Sequence, residues 1–462
     1  MRIKQISVSG LFGVFDHVIP LNMDERITIV HGPNGFGKTI MLRMLNGFFN
    51  SKYSVFRTIP FNSFRVEFDN GSSAEIVKIS NSLENKREES EITFNFSKPN
   101  SEKATFLLKR IKNLYEKSFE FAAFKFATLD EIDTLDDTIP ELSRINSKTW
   151  RYLSTGEDLT VEDVIARFED FLPSQVQSRE EPEWLKSLRN VINVRLIESQ
   201  RLLNFVPNRS YRTQEKRPSM LPTVSAYSSE LAQLIQSKLA EYSTTSQSLD
   251  RTFPTRVVKQ QISPNLTEEQ LRHQLSGLEV TRSRLIEVGL LDKDDNSDFQ
   301  IQPQSIDEST KNILSVYVKD VEKKLNVFNE IARKIELLKK IINSKFASSY
   351  KEMNFNKDKG FVFTLYHPSS SISETLSPYD LSSGEQHELV LLYELLFKVE
   401  PNSLVLIDEP ELSLHVGWQV QFLKDLQEIT KLADIDVLMA THSPDIIQDR
   451  WDLTVELKGS AK

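Results

Sequence analysis

Residues 27–49 read ITIVHGPNGFGKTIMLRMLNGFF, and this stretch decides the fold. Ile27 to Val30 is a short apolar run with β-branched side chains, the pattern of a buried strand. Thr39 to Phe49 reads as a helix. Between them Gly32 to Thr39, GPNGFGKT, matches G-x-x-x-x-G-K-[ST]. The glycines let a loop wrap closely, so that backbone N–H groups point inward at phosphate oxygens. The helix N-terminus adds its partial positive charge. Lys38 supplies a point charge for β- and γ-phosphates, and Thr39 a hydroxyl for Mg²⁺. Strand, loop and helix in that order predict an α/β nucleotide-binding domain. The phosphates are expected among Gly32, Pro33, Asn34, Gly35, Phe36, Gly37, Lys38 and Thr39. A glycine turn capping an ordinary helix is the plainer alternative.

Three stretches further along belong beside that loop. LVLIDEP, Leu404 to Pro410, is an apolar strand ending in two carboxylates. Asp408 at the strand tip is expected to reach the metal shell beside Thr39, and Glu409 to polarise an attacking water as general base. Read alone, the segment is equally a strand followed by a turn. LSSGEQ, Leu381 to Gln386, precedes an apolar helix from Leu389 to Val399. Ser382 with Glu385 three residues on is also an N-cap box, and a functional role and a capping role are compatible. ATHSP places His442 directly after the strand-like run Asp436 to Thr441.

The surrounding chain divides by pattern. The first hundred residues read as strands: Ile3–Val8, then Phe64–Phe68 and Ala74–Ile79 flanking the Asp69-Asn70-Gly71 turn, then Ile92–Phe96. From about 102 to 346 the pattern is mainly helical, except NVINVRLI at 190–197, which reads as a strand returning to the sheet. Apolar residues from Leu314 to Ile342 step by three and four, one stripe on a helix spanning Lys311 to Phe346. Leu266 to Leu291 is a plausible antiparallel mate, either in a coiled-coil arm or in a compact bundle. Strands return at Gly360–Tyr366, Ser403–Ile407 and Asp436–Thr441, the last two apolar enough to be buried on both faces of a parallel sheet. The expected domains are therefore 1–101 and 347–462 as two parts of one ATP-binding head, with 102–346 inserted between them.

Composition limits the rest. Of 462 residues, 39% are hydrophobic and 27% charged, the balance of a protein with a proper core and much exposed helix. Cysteine is absent, which excludes disulfides and thiolate metal sites and makes a reducing cytosol the natural compartment. No apolar run approaches the roughly 20 residues that cross a bilayer, so no membrane role is expected. A net charge of −9 argues against nonspecific nucleic-acid binding by bulk charge. The basic run Lys103–Lys117 leaves a local contact open beside the simpler reading, a solvated helix face.

The phosphate loop, LSSGEQ, LVLIDEPE and ATHSP stand in the order found in ABC-type ATPases, and the chain resembles their SMC/RecF/OLD-like branch, in which Glu-Gln ends the signature. The resemblance covers roughly the first and last hundred residues. It implies that Ser383, Gly384 and Glu385 of one subunit close over the γ-phosphate held by another. It further implies that His442 contacts that phosphate, and that Gln200 in RLIESQRL reaches metal and water as a Q-loop glutamine. His415 and Trp418 fall in the D-loop region, where interface and core packing are both open. ATP and Mg²⁺ are then the expected ligands, and a homodimer or higher homo-oligomer the expected assembly.

A looser similarity, through LDRTFPTRVV at 249–258 and the stretch Leu285–Leu291, is to ATPase subunits of antiphage systems of the PARIS or Septu type. The chain ends about 20 residues past His442, without the C-terminal nuclease domain of OLD proteins. The expectation is therefore an ATP-driven sensor governing a separately encoded nuclease or toxin effector. The alternative is a RecF/SMC-like DNA-repair or DNA-tethering ATPase. The long separation between Thr39 and Leu381 disfavours a transporter subunit, and intact Glu409 and His442 disfavour a scaffold that only binds nucleotide.

Overall fold

The computed structural model of the chain describes residues 1–81, 89–99, 103–108, 142–146, 149–152, 156–168, 181–198, 203–205, 220–259, 267–293, 307–366 and 373–459. Gln200 and the basic residues from Lys109 to Lys117 lie outside them. Two compact units are distinguished, one made of Met1–Ser199, Val399–Leu412 and Gln419–Lys462, the other of Gln200–Lys398 and Ser413–Trp418.

The first unit holds the phosphate loop on a five-stranded parallel sheet. Its strand order is Val194–Ile197, Leu404–Asp408, Asp436–Ala440, Ile27–His31, Thr454–Glu456. Leu404–Asp408 and Asp436–Ala440 are buried along their whole length, as uninterrupted apolar runs require. Register sets Asp408 opposite Ala440, and Ala440 opposite Val30. The loops that follow these three strands therefore leave one edge of the sheet side by side, the edge where open α/β sheets bind ligands.

A separate six-stranded antiparallel sheet runs Phe15–Pro20, Ile3–Leu11, Ser63–Phe68, Ser73–Asn81, Glu89–Ser97, Ala104–Leu108. Parallel and antiparallel pairing are thus divided between two sheets. The helix Lys38–Phe49 fills the space between them. Its Met41, Leu45, Phe48 and Phe49 share one core with Ile6, Val8, Phe64 and Phe94 of the antiparallel sheet and with Leu406 and Leu438 of the parallel one. The Asp69-Asn70-Gly71 turn forms as read, with Gly71 at φ 78.

The stretch expected to be mainly helical, 102–346, contains more strand than the single run foreseen. Ala104–Leu108 closes the antiparallel sheet, and Leu142–Asn146, Thr149–Tyr152 and Glu157–Thr160 form a small sheet with Trp150 fully buried. The last three are four or five residues long and rich in polar side chains, too short to display a period against the surrounding charges. The first unit accordingly continues to 199 instead of ending at 101. The returning strand is confined to Val194–Ile197, because Asn190 and Val191 complete the helix Glu183–Val191.

In the second unit the single helix expected over Lys311–Phe346 is two, Glu308–Asn326 and Asn329–Phe346. Val327 and Phe328 at the joint keep right-handed helical dihedrals, so the apolar spacing runs through the break without a mark. Phe328 is fully buried, with its ring 5.3 Å from that of Tyr242. Glu308–Asn326 packs against both Thr223–Lys259 and Glu268–Glu287. Ion pairs Asp250–Lys324 and Arg256–Asp320 set the first of these antiparallel to it, and Arg284–Glu336 ties Glu268–Glu287 to the last helix. Among the described residues this is a bundle, not a two-helix arm. An antiparallel sheet of Lys351–Asn356, Gly360–Tyr366 and Ser373–Leu376 follows, then the helix Ser383–Tyr393 and a π-helical turn, Glu394–Lys398. No helix among the described residues is long and apolar enough to cross a membrane.

Candidate functional site

The phosphate loop is held open by glycines in the left-handed region, Gly35 at φ 84 and Gly37 at φ 89. A Cβ at Gly37 would stand 2.4 Å from Leu11 Cδ2, so a side chain there would have to displace Leu11 and accept a strained backbone. Between them, Phe36 is clamped from the antiparallel sheet: its ring lies 5.0 Å from Phe15, and its carbonyl accepts from His17 Nε2 at 2.9 Å. Burial lowers the His17 pKa, outweighing the opposite influences of the Phe36 carbonyl and Asp16. A carbonyl can only accept, so His17 carries a proton on Nε2. No sequence signal marked it, since its partner is a main-chain carbonyl.

Lys38 is buried and donates to the carbonyls of Gly32 and Pro33, at 2.8 and 3.1 Å. Burial lowers its pKa against the fields of Glu409, Glu411 and Asp408. Thr39 Oγ1 donates to Asp408 Oδ1 at 3.0 Å, joining the two residues expected to share a cation. Desolvation, with a smaller contribution from Glu409, raises the Asp408 pKa above the ordinary carboxylate value despite that hydrogen bond. Arg43 opposes this shift only in part, and a hard divalent cation would compensate the desolvated carboxylate further. The residues present fit Mg²⁺.

Glu409 adopts φ 44, a strained value for a residue with a side chain, while its N–H donates to the Ala440 carbonyl at 2.9 Å. This turn brings Glu409 Oε1 to 3.7 Å from His442 Nε2. The His442 loop is itself pinned: Thr441 N–H donates to Val30 O at 3.1 Å, Ser443 Oγ to Gln419 Oε1 at 2.7 Å, and His442 N–H to Glu411 Oε1 at 2.5 Å. Glu411 was not foreseen as a site residue. It sits two positions past Glu409 and its partner is a backbone group 31 residues away, so spacing could not reveal it.

The signature lies in the second unit. Ser382 caps the helix Ser383–Tyr393, and Glu385 completes the box. Ser383 is exposed and Gly384 partly so. Glu385 is buried, with its carboxylate accepting from Ser382 N–H at 2.7 Å and from Lys351 Nζ at 2.8 Å. Its side chain is therefore engaged within its own unit, unlike the nucleotide contact expected of it. Trp418 packs with its ring 6.4 Å from Phe346, whereas His415 is exposed and accepts from Gly417 N–H.

Residues 1–447 match the AAA ATPase domain family, AAA_15. The chain belongs to that family. This AAA_15 protein has no match among curated proteins. Among solved structures it is similar to the Smc head domain of Pyrococcus furiosus with an extended coiled coil, bound to the C-terminal domain of ScpA, at 13% identity over 96% of this chain and 91% of that one, with a TM-score of 0.34. It is also similar to the SMC head domain of Thermotoga maritima, at 11% identity over 97% and 92% of the two chains, with a TM-score of 0.33.

Proposed function

We propose that this AAA_15 protein binds ATP with Mg²⁺ on its first unit, hydrolyses it there, and uses the cycle as a switch between separate and paired copies. The observation that carries the reading is the convergence of four groups at one sheet edge, with Thr39 on Asp408 and Glu409 facing His442. The loop N–H groups and Lys38 hold the phosphates, Lys38 exchanging its two carbonyl partners for phosphate oxygens. Thr39 and Asp408 would hold Mg²⁺, which supplies positive charge to the phosphate oxygens. Glu409 takes the proton of the attacking water, and His442, steered by Glu411, orients groups at the γ-phosphate. Ser383 and Gly384, at a helix N-terminus, complete the site from a second copy. Phosphate release by the wild type, lost in Glu409→Gln and in Lys38→Ala, is the expected result; turnover unchanged by Glu409→Gln overturns the assignment of the base.

The finer reading is that the switch governs a separately encoded antiphage effector, a nuclease or toxin. Its support is the similarity of 249–258 and 285–291 to subunits of such systems. Co-expression with neighbouring genes tests it: an ATP-dependent complex with a second gene product supports it. Retention of duplex DNA without a protein partner turns the reading to a RecF/SMC-like tether.

A further inference from the structure

The signature helix is fastened by two lysine–carboxylate pairs, one from the end of the helix Asn329–Phe346 and one from the start of the strand Lys351–Asn356. Lys345 and Glu388 form an ion pair with both side chains wholly withdrawn from solvent. Six residues after Lys345, Lys351 donates to both oxygens of Glu385, at 3.1 and 2.8 Å, and Ser349 Oγ adds a hydrogen bond at 3.2 Å. Between the lysines the chain makes one 3-10 turn, Ala347–Ser349, and a left-handed residue, Tyr350 at φ 55. Glu385 and Glu388 are three residues apart, hence on one face of their helix.

Charges removed from water are poor glue, since an apolar pair of similar volume commonly holds two helices as well or better. What the ion pair adds is direction. Nζ and carboxylate must meet at hydrogen-bond distance, which fixes both the rotation and the sliding of one helix on the other. Glu388 Oε2 has no hydrogen-bond partner among the described residues, so the arrangement is not one of maximal stability.

We propose that Lys345 and Glu388 are positioning residues for the signature. They set the orientation in which Ser383 and the helix N-terminus are presented, and they make it follow the last helix of the bundle. A displacement of that helix, by a bound partner or by pairing of copies, then reorients the signature. The inference rests on the proposal that the signature acts on ATP held by another copy.

The test uses the full chain carrying Lys345→Met with Glu388→Leu, which removes both charges while keeping volume. The expected result is an unchanged Kd for a fluorescent ATP analogue at the phosphate loop, with kcat and ATP-dependent dimerisation each reduced by about tenfold or more. The swap Lys345→Glu with Glu388→Lys should recover part of the loss. A purely structural pair would instead leave kcat and ATP-dependent dimerisation of the folded protein intact, whichever way the melting temperature moves, which overturns the proposal. If the apolar pair does not fold, Lys345→Arg decides. It keeps the charge but alters the geometry, so reduced kcat at unchanged Kd supports the proposal and wild-type kcat overturns it. A wild-type protein without ATP turnover or ATP-driven pairing defeats the underlying functional reading, a result distinct from either.

Discussion

At the scale of single residues, Glu411 separates what spacing can reveal from what it cannot. The phosphate loop and the Asp408-Glu409 pair are written in contiguous sequence, because each must present several groups from one short turn. Glu411 and His17 act on backbone atoms brought near by the fold, the His442 N–H and the Phe36 carbonyl, and no motif encodes such a pairing. Removing the acceptor in Glu411→Ala forfeits a charge-assisted hydrogen bond, worth about 1.5–3 kcal/mol. In steady-state kinetics kcat should fall about 10- to 100-fold with little change in ATP affinity, while Glu411→Gln, which keeps an acceptor oxygen, should retain most activity.

Asp408 predicts a different trade. Its pKa is raised in the folded protein, chiefly by burial, so the folded state favours the protonated form more than the unfolded state does. Stability attached to that proton is present at low pH and lost as pH rises through the raised pKa. At neutral pH the charged Asp408 therefore weighs against folding. Asp408→Asn should raise the melting temperature at pH 7 while abolishing Mg²⁺-dependent turnover. Equal or lower stability of that variant contradicts the account.

At the scale of elements, the buried parallel strands were legible because burial on both faces demands unbroken apolar runs, as in Leu404–Ile407 and Val437–Ala440. The short strands within 142–160 were not, since three or four alternations among charged residues carry little periodic signal. The joint at Phe328 escaped for another reason: its dihedrals stay helical while the hydrogen bonding tightens, with Phe328 N–H donating to Leu325 O three residues back. Phe328 is buried where the two helices meet, so Phe328→Ala should cost about 3–5 kcal/mol through lost transfer energy and the cavity left behind. Denaturant unfolding would register this as a lower midpoint.

At the scale of the whole molecule, the groups proposed for catalysis and the signature belong to separate compact units, Lys38, Asp408, Glu409 and His442 to the first, Ser383 and Gly384 to the second. A γ-phosphate seen by the first unit of one copy and the second unit of another contributes binding free energy to the paired state alone, and only such differential binding shifts an equilibrium. The order of motifs raised the expectation of paired copies, whereas it carried no mark of the division into units. The boundary near 199 follows the strand Val194–Ile197, which pairs with Leu404–Asp408 in the parallel sheet. The most direct test of the central claim is the molar mass of Glu409→Gln in solution, by light scattering, with and without ATP and Mg²⁺. The account predicts a dimer that forms with ATP and Mg²⁺ and is absent when Lys38→Ala is added. A mass indifferent to ATP would contradict it.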